Sequence, residues 1–153
     1  MFSRTNMINA SPERVFAVLT DLDRAREWMP TIQKIDGLTP GPFQVGTSWR
    51  EVRLAGKRTL ESTVRVASLD RPSRLGLEVD SKPMAGHMAF NLVPKGGATE
   101  VHYEAEMQGK GLFRLMSGTM NRMMAETDSD LLDRLKTEVE GHPYPKESTP
   151  DLR

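Results

Sequence analysis

Between Gly111 and Gly141 apolar side chains return at helical spacing: Leu112, Leu115, Met116, Met120, Met123, Met124, Leu131, Leu132, Leu135 and Val139. Steps of three, four and seven place most of them on one helical face. Arg114, Arg122, Glu126, Asp130, Asp133, Arg134 and Glu140 occupy much of the remainder, and a glycine stands at each end, as helix boundaries favour. Wholly helical, about 30 residues would reach roughly 45 Å. An amphipathic helix of that length owes its stability to a wide apolar surface beneath it, so the rest of the chain has to provide one.

The preceding residues provide strands. Phe2 to Asn9 alternates loosely and predicts a first strand. Ser11-Pro12-Glu13 is a helix start, with serine as N-cap, proline in the first turn and an acid near the positive end of the dipole. Val15, Phe16, Val18 and Leu19 give that short helix its apolar face, and Asp21 caps a second through Trp28, stopped by Pro30. Strands are then expected over 32–38, 47–54, 59–69, 75–79 and 88–93, with turns at Ala55-Gly56-Lys57, Arg71-Pro72 and Lys95-Gly96-Gly97. The last strand alternates Val101, Tyr103, Ala105 and Met107 with Glu100, His102, Glu104 and Glu106. Short turns between one-sided strands predict an antiparallel sheet with one wet face. The whole reads as α+β: one strand, two short helices, about six strands and a long C-terminal helix.

Length and charge narrow the class. One domain over 1–140 suits 153 residues, and the aperiodic, proline-containing residues 141–153 are expected to fray as a tail. Lysine plus arginine number 21 and aspartate plus glutamate 21, so no net charge draws the chain to nucleic acid. No apolar run is long enough to span a membrane and no leader pattern appears, which makes the cytoplasm the default expectation. With no cysteine there is no thiolate ligand or nucleophile.

Five segments carry a resemblance: Ile8-Asn9-Ala10-Ser11-Pro12-Glu13-Arg14-Val15-Phe16, Asp21-Leu22 followed by Glu27-Trp28-Met29-Pro30, Val45-Gly46-Thr47-Ser48-Trp49-Arg50-Glu51, Gly97-Ala98-Thr99-Glu100-Val101, and Leu131 to Glu140. In order and at matching intervals, they resemble the START-related, Bet v 1-like superfamily (SRPBCC), in its polyketide cyclase/dehydrase-like branch. The resemblance covers about residues 1 to 140 and implies a helix-grip fold, a seven-stranded curved antiparallel sheet around a long C-terminal helix with an apolar cavity between them. It implies little about chemistry, because the superfamily includes carriers, cyclases, receptors and chaperone cofactors.

Candidate binding residues follow from the pattern. Five of the ten methionines lie between Met107 and Met124, and Met107, Met116, Met120 and Met124 are candidates to line a pocket with adaptable thioethers; ordinary core filling is the alternative. Trp28 either walls the pocket mouth or staples the short helices to the sheet. In 47–54, Ser48, Arg50, Val52 and Leu54 alternate with Trp49, Glu51 and Arg53, and period alone does not say which set faces inward. An inward Glu51 or Arg50 would need a partner and could orient a carbonyl or move a proton. Tyr103 shares its face with Val101, Ala105 and Met107, which predicts an inward ring and a partnered hydroxyl; Phe90 belongs to the same apolar set, with Ser62 and Asn91 as weaker polar candidates. His87, His102 and His142 have no metal-site spacing, so neither a metal nor a cofactor is expected. Gly109-Lys110-Gly111 reads as a turn, and the run Glu126, Asp128, Asp130 and Asp133 as a solvated helix face.

Three functions remain open at this point. The first is a binder of a small hydrophobic molecule such as a lipid, quinone, polyketide or other aromatic. The second is a cyclase, aromatase or dehydratase using Tyr103, Glu51 or Arg50. The third is an interaction protein with a collapsed pocket and a large exposed apolar patch. Oligomeric state is not legible.

Overall fold

A computed structural model describes residues 1–55, 57–82 and 84–141. Its strands are β1 (Phe2–Ile8), β2 (Ile32–Asp36), β3 (Ser48–Ala55), β4 (Arg58–Asp70), β5 (Arg74–Asp80), β6 (Met84–Lys95) and β7 (Ala98–Gly109). They form one antiparallel sheet in the order β1-β7-β6-β5-β4-β3-β2. The run from β2 to β7 is the expected meander. β1 pairs with β7 at the opposite edge from β2, Phe2 facing Ala105 and Ile8 facing Thr99, so the helices between β1 and β2 must cross the mouth of the sheet.

Those helices are α1 (Pro12–Leu19), a 3-10 turn at Leu22–Arg24, and α2 (Ala25–Trp28). The Arg14 amide donates to Ser11 Oγ at 3.3 Å and the Asp23 amide to Asp21 Oδ1 at 3.2 Å, satisfying donors that a helix start leaves open. Val15, Phe16, Val18 and Leu19 are all buried, as their spacing predicts. Fully burying a side chain of this kind contributes roughly 1.5–3 kcal/mol.

The sheet curves where its register slips. Pairing of β4 with β5 shifts between Val66 and Ser68, opposite Gly76; a Cβ on Gly76 would lie 2.3 Å from Ser68 Oγ. An extra residue in one strand bends and twists the pair, and glycine opposite it removes the clash.

The C-terminal helical stretch spans Gly111–Gly141 as expected, but in three pieces. They are a 3-10 segment (Gly111–Met116), α3 (Ser117–Thr127) and α4 (Leu131–Gly141). The break at 128–130 falls in Asp128-Ser129-Asp130, residues whose short polar side chains compete with the helical backbone. α4 supplies the grip, burying Leu131, Leu132, Leu135 and Val139. It is bolted to the sheet edge by Asn6 Nδ2 to Asp133 Oδ1 (2.8 Å), the Asn9 amide to Glu140 Oε2 (2.7 Å) and Lys136 Nζ to the Met7 carbonyl (2.9 Å). Arg24 Nη2 also reaches the buried Glu138 at 3.2 Å.

α3 does something different. β7 outruns β1, so on that side the Met107 and Gly109 amides beyond Ala105 have no strand beside them, β6 pairing with the other edge only. Asn121 takes that place: its Oδ1 accepts from the Met107 amide at 2.9 Å and its Nδ2 donates to the Met107 carbonyl at 2.8 Å. Ser117 Oγ accepts from the Gly109 amide at 2.9 Å. α3 thus closes a strand edge and leaves the inner face of the sheet to α4. The tail residues 142–153 lie outside the described residues.

Candidate functional site

Between the sheet and the helices lies a cavity of about 50 Å³. Its walls come from every layer: Leu19, Leu22 and Ala25 from the helices, Ile32 and Ile35 from β2, Val64, Leu75 and Leu77 from the central strands, and Leu131 from α4. Trp28, Trp49, Glu51, Phe90 and Tyr103 line it too. The space suits a handful of water molecules; the resemblance implied an apolar cavity and set no size for it. Its lining is mostly apolar, with the polar groups Glu51, Arg53, Tyr103 and Asp128 and the Trp28 indole set into it.

Register decides which face of β3 looks in. Trp49 pairs with the buried Val64, and alternation then turns Glu51 and Arg53 inward with it. Arg50 faces the other way, its side chain 64% exposed and 3.3 Å from Asp36, so it is not a cavity residue. Glu51, 6% exposed, receives two bonds: Trp49 Nε1 donates to Oε1 at 3.0 Å and Arg53 Nε to Oε2 at 2.7 Å. Arg53 Nη2 also approaches the Met29 sulfur at 3.8 Å. Burial works against the Arg53 charge, but Glu51, by its charge and its hydrogen bond, with Asp128 and Tyr103 adding, holds the guanidinium above its ordinary pKa.

The second polar pair joins strand to helix break. Tyr103, fully buried, packs against Phe90 with ring centroids 4.9 Å apart and edge-on to Phe2 at 6.0 Å. Its hydroxyl donates to Asp128 Oδ2 at 2.9 Å. Burial, then the Asp128 charge and the bond to it, push the Tyr103 hydroxyl well above its usual range against the pull of Arg53. Burial raises Asp128 as well, and the Tyr103 bond and Arg53 charge offset this only in part. The expectation that Asp128 belongs to a wet helix face is therefore corrected: the break at 128–130 turns its carboxylate towards Tyr103, while Asp130 and Asp133 stay outside, bonded to Arg134 and Asn6.

One donor of the cavity wall is left over. Trp28 is 4% exposed, and its Nε1 is buried with no hydrogen-bond partner among the described residues. Such a group ordinarily finds an acceptor, and Trp28 stands in the cavity wall.

The methionines lie elsewhere than expected. Met107, Met116, Met120 and Met124 are not part of the cavity lining; Met29 and Met88 are. Met124 packs against the core margin, whereas Met116 is 45% exposed, because α3 follows the β7 edge instead of crossing the inner face. Ser62 is buried, and Asn91 accepts from Arg74 Nη1 at 2.8 Å on the outer side. Two polar residues of the cavity were not among the sequence candidates. Arg53 carried a signal, the Trp49-x-Glu51-x-Arg53 alternation; Asp128 carried none, since its role depends on a break that helical spacing does not announce. Among the described residues no cluster of histidine, aspartate and glutamate is arranged to hold a metal.

A curved seven-stranded antiparallel sheet gripping C-terminal helices over a mostly apolar cavity defines an α+β helix-grip protein. Solved structures share this fold. They include a START superfamily protein from Mycobacterium smegmatis (17% identity, 91% of this chain and 96% of that one, TM-score 0.75) and the Zhui aromatase/cyclase from Streptomyces sp. R1128 (15%, 96% and 97%, 0.74). A truncated norcoclaurine synthase from Thalictrum flavum is similar too (14%, 92% and 93%, 0.70). No curated protein sequence matches the chain. The chain belongs to the family described as polyketide cyclase/dehydrase and lipid transport, whose model matches residues 1–140.

Proposed function

We propose that this protein binds a small hydrophobic molecule bearing a polar oxygen, held between α4 and the sheet. The observation that carries the reading is the Trp28 Nε1, the one buried side-chain donor of the mostly apolar wall with no partner among the described residues: an oxygen acceptor on the guest would satisfy it, and apolar contacts would supply the affinity. Membership in a family described in part by lipid transport supports the same reading. A guest larger than the present space must part the walls, and the shortest wall elements are the 3-10 turn at Leu22–Arg24, α2 and the turn at 128–130.

Both tryptophans of the chain line the cavity, so intrinsic fluorescence reports occupancy directly. Titration with quinone and aromatic polyketide probes, and with oxygen-free anthracene, should give saturable quenching at one guest per chain, and in Trp28→Phe, read on the remaining Trp49, affinity should fall for the oxygen-bearing guests only. No quenching by any probe, together with native mass spectra free of bound small molecules, would refute it.

A second reading, a cyclase- or dehydratase-type enzyme, is favoured by one observation: Glu51 and Tyr103 both face the cavity, each in a partnered pair. Positioning a reactive chain there and moving a proton through the Tyr103–Asp128 pair would be the mechanism. Turnover of a linear polyketide mimic that falls in both Tyr103→Phe and Asp128→Asn would distinguish it from simple binding.

A further inference from the structure

The 3-10 segment and α3 carry an apolar surface that no described residue covers. Leu112 and Leu115 are 93% and 95% exposed. They lie three residues apart, so they eclipse on one face of a 3-10 helix. Phe113, Met116 and Met123 extend the patch, each more than two-fifths exposed. Isolated exposed apolar residues are ordinary, but a cluster marks an interaction surface.

Charge selects the partner. The chain is neutral overall, yet between Met107 and Ala125 it holds Lys110, Arg114 and Arg122 and no acid. Lys82 stands at the same end of the sheet, because the strand that follows it starts with Met84 paired to Gly109. The nearby acids are Asp80, bonded to Lys110 Nζ at 3.0 Å, and Glu106 and Glu126, which flank the segment; no ion pair to Arg114 or Arg122 occurs among the described residues. A symmetric pairing with a second copy would set these cations against themselves. Exposed leucines with lysine and arginine beside them along the same segment match instead the boundary between acyl chains and anionic headgroups. No described helix is long and apolar enough to cross a membrane, so the fit is to lying on a bilayer.

We infer that the segment 110–123 docks on an anionic lipid bilayer, inserting Leu112 and Leu115 while Arg114 and Arg122 contact headgroups. The inference goes beyond ligand binding and does not need it. α3 does lead straight to Asp128 in the cavity wall, which would place a docked molecule's cavity beside the lipid.

Flotation of the full chain with vesicles of phosphatidylcholine, and of phosphatidylcholine with phosphatidylglycerol, tests it. Binding is expected on the anionic vesicles and should weaken at high salt. Arg114→Ala with Arg122→Ala should lower partition about thirtyfold, and Leu112→Ser with Leu115→Ser by about tenfold or more. All four side chains are exposed, so unchanged thermal melting will certify the fold of each variant. Absence of binding to anionic vesicles overturns the inference, as does equal binding by the leucine variant. A dimer in light scattering that Leu112→Ser dissolves assigns the patch to a second copy and overturns it too. Probe quenching in vesicle-free solution is a separate readout, so failure of docking and failure of ligand binding are distinguishable.

Discussion

The Tyr103 hydroxyl donates to Asp128 Oδ2 across 2.9 Å, tying the middle of β7 to the break between α3 and α4. A half-buried carboxylate at that break is electrostatically expensive, and its raised pKa sets the sign of a stability effect.

Asp128 holds its proton more tightly in the folded state than in the unfolded chain. Its contribution to stability is therefore complete below the ordinary aspartate pKa and is lost as pH rises through the raised, folded value. Asp128→Asn removes that loss and keeps an oxygen to accept from Tyr103. We expect the variant to melt higher at neutral pH, by about 2–4 °C for each kcal/mol recovered, and to show a flatter pH profile. Melting curves from acid to neutral pH check it; a lower midpoint at pH 7 contradicts the assignment. Tyr103→Phe, which strips the carboxylate of its donor, should cost about 1–3 kcal/mol.

Glu51 is the counter-charge of Arg53, whose side chain is 24% exposed. Glu51→Gln keeps an acceptor for Trp49 Nε1 but leaves the guanidinium unbalanced. Loss of one partner of a buried pair costs about 3–5 kcal/mol, and the partial exposure of Arg53 reduces this to about 2–3 kcal/mol. Adding Arg53→Met should recover most of it. Urea unfolding of the single and double variants gives the coupling, and additive losses would show that the pair is not coupled.

Asn121 acts as a surrogate strand for Met107. Asn121→Ala opens two backbone groups, and at about 0.5–1.5 kcal/mol per bond the effect should stay local. Hydrogen exchange is expected to rise at Met107 and through α3, with α4 unchanged because its own bonds reach β1. Equal acceleration in both helices would mean that they unfold as one unit.

Gly109 is where the chain folds back on itself. A Cβ there would stand 1.7 Å from the Phe113 carbonyl oxygen, so Gly109→Ala must push the 3-10 segment off β7. Overpacking of this kind costs about 1–3 kcal/mol. Gly118→Ala, with nothing within 4 Å, is the control and should stabilise α3 by up to about 1 kcal/mol. Chemical denaturation of the two variants should move in opposite directions.

Much of this was legible in the residues. Ser11-Pro12 started α1, alternation from Val101 to Met107 put Tyr103 inside, and the turn residues delimited the strands. Period two, however, is symmetric: it could not choose between the Trp49-Glu51-Arg53 and Arg50-Val52 faces of β3. Helical spacing likewise could not separate α3 from α4, since Met120 and Leu132 obey the same rule on surfaces of different kinds.

By itself, the sequence determined the kinds of elements and their order, because those follow from local periodicity and from how short the turns are, while the helix-grip class was what the resemblance of its five segments to a known family implied. Only the tertiary structure decided what they enclose. Pairing with β4 turned Glu51 inward, the end of β1 drew Asn121 to β7, and the break at 128–130 placed Asp128 against Tyr103. Each of these outcomes depends on contacts between residues distant along the chain, and the free energy of such contacts is not written in the spacing of either partner alone.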